Sequence, residues 1–292
     1  MAGYLLAILS SVSFGISNAY WKIPQKTIGL PKLVLFRSLI ASVFFGCICL
    51  LFWLNNSNPF HLISFEARAK DYGIAFLLCL FCSFGLIMYL KSLQYSKVSI
   101  SIPLTSLNVF GVLTALLILH EPFKLRYFIT FPLALIGIAC TQMIQNEGYT
   151  WQWSKGATFS LLASFFWGVS YALFKYSIQW IGPLPMAFLL ETAVATVAFF
   201  WMLATKEAFR FSELRQAGIA KHYLILSFLL IGGTLCCNVA LQRIPLMAFQ
   251  FISYLQIVVA VAFDILVFKE KPTAFESIGV LLILFSVMIS QA

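Results

Sequence analysis

Eight residues of this chain occur twice. Gly15-Ile16-Ser17-Asn18-Ala19-Tyr20-Trp21-Lys22 returns as Gly168-Val169-Ser170-Tyr171-Ala172-Leu173-Phe174-Lys175, with Gly, Ser, Ala and Lys kept in place and an aromatic ring before each lysine. The register extends beyond the motif. Ile28-Gly29 answers Ile181-Gly182, Gly85 answers Gly233, Leu93-Gln94 answers Leu241-Gln242, and Glu121 answers Glu270. The offset drifts by only a few residues, as short loop insertions produce. The chain is one module used twice, and that frame governs how each later residue is read.

Of the 292 residues, 61% are hydrophobic and 10% are charged, against about 25% charged in a soluble domain. A core of this size cannot hide that much apolar surface from water, so the sequence predicts a multi-pass integral membrane protein of a cell inner or plasma membrane. A span needs roughly 20 apolar residues. Ten segments qualify: 2–22, 32–54, 72–94, 98–120, 123–145, 156–178, 184–205, 221–242, 246–269 and 274–291. The first lacks a basic leader and reads as a retained span rather than a signal peptide. Residues 1–145 form the first five-helix repeat, 146–155 a linker with Trp151 and Trp153 as interfacial anchors, and 156–292 the second repeat. Five is odd, so the second copy enters the membrane upside down. The expected fold is all-α, with ten transmembrane helices as two inverted five-helix repeats, the architecture of secondary transporters. One chain completes such a pair, so a monomer suffices.

The composition also excludes functions. A net charge of +9 would suit nucleic acid, but the 19 Lys and Arg are scattered at segment ends and form no basic patch. All seven cysteines lie in apolar runs; Cys79 and Cys82 form a CxxC with no second pair or nearby His to complete a metal site. His61, His120 and His222 are far apart and at segment ends, and no P-loop or hydrolase motif lies in a span. No cofactor or metal is expected, and the chain does not read as an enzyme.

Boundary chemistry gives further expectations. Pro31 and Pro185 open the second and seventh helices. Thr273 and Glu276 form a capping box, and Glu121 sits at the N-cap of the fifth helix before Pro122. Pro103 and Pro132 kink the fourth and fifth helices. With a cytoplasmic N-terminus the cytoplasmic links would hold six Lys/Arg and the opposite links twelve, so the positive-inside rule favours both termini outside.

Ten spans in two halves, a GxSxAxxK stretch in the first helix of each half, and a Glu after the fourth helix of each half resemble the drug/metabolite transporter superfamily, EamA type. The resemblance covers essentially the whole chain. It implies transport of amino acids, drugs, sugars or other small metabolites, a central cavity ringed by helices one to four and six to nine, and cytoplasmic termini, against the charge count. Within those helices Ser17, Asn18, Trp21, Trp167 and Tyr171 are candidate cavity residues from the two motif helices. Tyr89, Asn108, Asn238, Tyr254 and Gln256 are candidates from the others, because a polar group deep in hydrocarbon needs a partner. Small residues of the motif, Gly15, Ser17, Gly168 and Ser170, also suit close helix packing.

Three charges fall inside spans. Asp264 and Glu191 are candidate proton carriers, although facilitated diffusion needs neither. Arg37 and Glu191 occupy equivalent positions six residues after Pro31 and Pro185. That depth sets their backbones roughly 12 Å apart in a 30 Å core, so each is expected to line the cavity with its own partner. The leading reading is a secondary transporter of amino-acid-like or amphiphilic and cationic solutes, working by alternating access and open to proton coupling. The alternative is a membrane-embedded ligand sensor or enzyme without translocation.

Overall fold

The structure is a computed structural model that describes residues 1–56, 58, 61–96, 98–106, 109–122, 124–141, 155–207, 217–269 and 273–291. Among the described residues every regular element is helical. The first half holds α1 (Ala2–Tyr20), α2 (Leu30–Leu54), α3 (Ala69–Tyr95), α4 (Val98–Thr105), α5 (Val109–Leu117) and α6 (Tyr127–Thr141). The second holds α7 (Lys155–Ile181), α8 (Pro183–Ala204), α9 (Ala217–Arg243), α10 (Leu246–Ser253), α11 (Leu255–Phe263) with a π-helical turn at Asp264–Phe268, and α12 (Ala274–Gln291).

Helix ends follow local chemistry. Pro31 stands in the first turn of α2, where its missing N–H leaves nothing unsatisfied. The side chain of Asp71, in the first turn of α3, accepts the Arg68 backbone N–H at 2.9 Å. Between α7 and α8 the chain turns at Gly182, whose φ of 92° only glycine adopts without strain. α8 therefore begins at Pro183, two residues before the proline expected to open it.

The ninth apolar segment is divided at Tyr254. The division has no proline; Tyr254 N–H bonds Phe251 O and Ile257 N–H bonds Tyr254 O, tightening the helix by one residue per bond. Pro103 lies within α4. Pro132 lies within α6 without ending it. Glu121 does not cap that helix either, because α6 starts at Tyr127. The side chain of Glu276, the linker with Trp151 and Trp153, and Glu270 lie outside the described residues.

The two halves interlock. α1 packs on α9, α2 on α8, α3 on α7 and α6 on α12, while α1 also meets α11 and α7 meets α5. Exchanging the halves maps this set of pairs onto itself. The α1–α9 and α3–α7 pairs run antiparallel. Gly3 at the start of α1 lies against Arg243 at the end of α9, whereas Tyr20 at the other end of α1 bonds His222 near the start of α9. Likewise Gly156, opening α7, lies against Ser92 and Ser96, closing α3. The repeat is inverted in three dimensions as well as duplicated in sequence.

The motif glycines mark two of these contacts. A Cβ on Gly15 would stand 2.9 Å from the Gln256 carbonyl oxygen of α11, and one on Gly168 2.8 Å from the Gly111 amide of α5. Backbone cannot yield as a flexible side chain does, so the motif glycine is where two helices touch. Gly15→Val and Gly168→Val are each expected to cost about 1–3 kcal/mol through overpacking. A thermal midpoint equal to the wild type's in either variant would show that these contacts relax freely.

Among the described residues seven helical spans are long and apolar enough to cross a membrane, and three shorter apolar helices run at 101–117, 127–140 and 277–289. Their outer faces expose Leu5, Ile8 and Leu9 on α1, Leu39, Val43 and Leu50 on α2, and Phe199, Phe200 and Leu203 on α8. Apolar surface on that scale belongs against hydrocarbon, and helices that satisfy their own backbone are what hydrocarbon permits. The protein is a multi-pass integral membrane protein.

Candidate functional site

Between the halves lies a cavity of about 940 Å³ of space free of protein atoms, open solvent included. α1 contributes Ser10, Ser11, Phe14, Asn18 and Trp21, which recur at helical spacing along its inner face. α7 contributes Trp167 and Tyr171, α11 Gln256, and α2 and α8 the charges Arg37 and Glu191. Asn18 Nδ2 donates to Gln256 Oε1 at 3.4 Å, so the two amides satisfy one another across the α1–α11 contact. The wall is thus mostly aromatic and aliphatic, with a few polar groups that can orient a solute.

Arg37 and Glu191 pair directly. Arg37 Nη1 donates to Glu191 Oε2 at 2.5 Å, and each side chain is 3% exposed. The expectation of separate partners is therefore wrong, and the reason is the helix starts. α2 begins at Leu30 and α8 at Pro183, so the charges lie seven and eight residues deep. At 1.5 Å per residue the gap in a 30 Å core shrinks to about 7–8 Å, within reach of an arginine. Trp21 packs beside the pair, with the Arg37 guanidinium carbon 5.8 Å from its ring centroid.

Other sequence candidates are buried away from the cavity wall. The Ser17 hydroxyl turns back to the Phe14 carbonyl at 3.1 Å. Tyr89 donates to the Asn18 carbonyl at 2.7 Å while its ring packs 5.6 Å from that of Trp167. Asn238 donates to the Pro183 carbonyl at 3.1 Å. Tyr254 is buried with its ring 6.1 Å from that of Phe251. These four find partners within the protein and brace the wall from behind. Asp264 is 4% exposed, in the π-helical turn after α11, and faces protein rather than lipid. Asn108 lies outside the described residues.

The cavity also takes residues from α9 and α10. On α9 these are Leu230, Thr234 and Cys237, at steps of four and three; on α10 they are Phe249, Gln250 and Ser253. Cys237 adjoins Asn238, so choosing the more polar neighbour selects a side chain one helical step, about 100°, away from the cavity. Helical phase measured against Gln256 and Thr234 is the signal that would have found them.

Glu121 ties the halves together near this wall. Its Oε1 accepts from Lys175 Nζ at 2.6 Å and from the Leu246 N–H at 2.8 Å, and its Oε2 accepts from the Met247 N–H at 3.0 Å. A carboxylate following α5 of the first half thus caps α10 of the second, and the motif lysine is its counter-ion. Burial by itself raises the Glu121 carboxyl, but Lys175 and the two amides outweigh it and hold the group below its ordinary value.

Comparison with curated proteins finds no match. A solved structure described only as a protein's crystal structure is similar over 98% of this chain and 94% of its own, with a TM-score of 0.70 and 13% identity, which shows a shared fold. The model of the EamA-like transporter family matches residues 1–143 and again 154–291, one match to each half. That double match, over a cavity enclosed by two interlocked copies, places the chain in the EamA-like transporter family.

Proposed function

We propose that the protein is a secondary transporter that carries small organic metabolites, amino-acid-like or amphiphilic and cationic, across the bilayer by alternating access. The observation that carries this reading is the position of the cavity: it lies between two antiparallel copies of one module and is lined by both. Residues 1–145 and 156–292 act as the two repeats, and the seven long and three short apolar helices supply ten spans. Rocking one repeat against the other carries the central site from one face to the other. Aromatic walls with one ion pair suit a solute with an apolar body and charged ends. Asp264, buried beside the α11 break, is the candidate proton carrier.

The test is solute counterflow in proteoliposomes. Trp167→Ala and Trp21→Ala are each expected to weaken apparent affinity by about tenfold or more, the loss of roughly 1.4 kcal/mol of contact, in protein that stays monodisperse. Asp264→Asn is expected to abolish any pH dependence of the flux. Binding without movement under every ion gradient would establish a sensor instead.

A further inference from the structure

Tyr20 stands on the face of α1 turned away from the cavity, two residues beyond Asn18 and so about 200° round the helix. Helices of the second half meet it on both sides. Its hydroxyl shares a 2.8 Å hydrogen bond with His222 Nδ1 near the start of α9, and its ring lies 6.5 Å from that of Phe263 at the end of α11. Phe263 in turn lies 6.0 Å from Phe268, the last residue of the π-helical turn. These four rings floor a groove between three helix ends, and each end carries a lysine. Lys22 follows α1 with its Nζ 5.9 Å from the Phe268 centroid, Lys221 precedes His222 on α9, and Lys269 follows Phe268. The motif lysine of the second copy, Lys175, bonds Glu121, whereas its counterpart Lys22 lies over a ring.

Single lysines at span ends are ordinary; three converging on one aromatic groove are not. Among the described residues of α1, the first two turns of α9 and the π-helical turn, the single carboxylate is Asp264, 4% exposed and turned into the protein. The groove is therefore locally cationic. Its surroundings select the kind of anion. Lys221, Leu224 and Phe228 follow one another on α9 at steps of three and four and share a face, with Leu224 59% and Phe228 79% exposed. Leu266, three residues before Lys269, is 77% exposed. At 1.5 Å per residue, side chains that face hydrocarbon begin about 4.5 Å below the lysines, which sets the charges at the level of lipid headgroups.

We propose that this groove binds an anionic phospholipid, with its phosphate held by Lys22, Lys221 and Lys269 and its acyl chains laid over Leu224, Phe228 and Leu266. Basic pockets between transmembrane helices suit such headgroups. A zwitterionic lipid brings an ammonium that the lysines repel, and a soluble phosphate gains nothing from the apolar faces. The bound lipid ties α1 of the first half to α9 and α11 of the second. Because the site faces away from the cavity, it stands whether or not the protein moves a solute.

The experiment titrates the purified full chain, in an uncharged detergent, with phosphatidylglycerol, with phosphatidylcholine of the same chains, and with glycerol phosphate. Native mass spectrometry counts bound lipid, and thermal midpoints read stabilisation. Phosphatidylglycerol is expected to bind and stabilise, and the other two to be weaker by about tenfold or more. Lys221→Gln and Lys269→Gln change exposed side chains outside the packed core, and each is expected to weaken phosphatidylglycerol about fivefold. Adding Lys22→Gln to both is expected to weaken it about 100-fold, the scale on which juxtamembrane basic residues contribute. Lys70→Gln, Lys124→Gln and Lys155→Gln together remove the same charge from other exposed span ends and are expected to leave binding as in the wild type. The proposal is overturned if phosphatidylcholine or glycerol phosphate stabilises as strongly as phosphatidylglycerol, or if both single variants bind phosphatidylglycerol like the wild type. It is equally overturned if the distant triple variant loses as much as the groove variant, since charge alone would then explain the binding.

Discussion

Glu191→Gln is expected to lower stability by about 3–5 kcal/mol, because it leaves the Arg37 guanidinium buried beside a neutral amide. Arg37→Gln has the mirror effect, stranding a carboxylate against the inner face of α8. Both side chains are 3% exposed, so water cannot take over the missing partner's role. The double replacement Arg37→Met with Glu191→Met behaves differently. It removes both charges at similar volume and is expected to recover most of the stability, since a buried pair and an apolar pair of similar size are close in energy. Thermal midpoints of the four proteins in one detergent form a double-mutant cycle. Losses that simply add in the double variant would mean the two groups do not act as a pair. Function divides the variants along another line. The Met pair folds but loses the cavity's only ionised groups among the described residues, so it is expected to bind no charged solute.

That pair also shows where sequence reasoning reaches its limit. The duplication in the two GxSxAxxK stretches was readable because backbone contacts enforce it: Gly15 and Gly168 each meet a helix too closely for a side chain. The membrane class was readable because apolar faces such as those of Leu5, Leu39 and Phe200 need hydrocarbon around them. The pairing of Arg37 with Glu191 was not, because it depends on helix starts shifted by one residue at Leu30 and two at Pro183, and each residue moves a charge by about 1.5 Å. The cavity wall was legible on α1 and α7, where bulky aromatic residues stand in the motif. On α9 the cavity takes Thr234 and Cys237 while the more polar Asn238 bonds the Pro183 carbonyl. Polarity picks residues that need a partner; only phase relative to neighbouring helices tells whether the partner is solute or protein. Glu121 was misread for a related reason. Its sequence neighbour Pro122 suggests a local cap, whereas the N–H groups it serves are those of Leu246 and Met247 in the other half.

Glu121→Ala is expected to destabilise the protein by about 3–5 kcal/mol. The substitution removes two charged hydrogen bonds to backbone amides, each worth about 1.5–3 kcal/mol, and leaves Lys175 without its counter-ion. Partial exposure of the two side chains, 12% for Glu121 and 20% for Lys175, lets water recover some of that. Glu121→Gln separates the contributions, because an amide oxygen can still cap one N–H while the ionic contact is lost; about half the effect is expected. Lys175→Met tests the ionic part alone and is expected to cost about 1 kcal/mol. The pH dependence has a fixed sign. The folded-state carboxyl lies below its ordinary value of 4.5, so its stabilisation is fully present above that value and is lost as pH falls through the lowered folded value. Thermal midpoints of the wild type should therefore decline from about pH 5 downward more steeply than those of Glu121→Gln. The consequence reaches the cavity, because α10 carries Phe249, Gln250 and Ser253 in its wall. Freed at its first turn, α10 can shift, and solute affinity should fall in Glu121→Ala even at temperatures where the protein stays folded. Unchanged affinity together with parallel pH curves for the two proteins would reduce Glu121 to a surface charge.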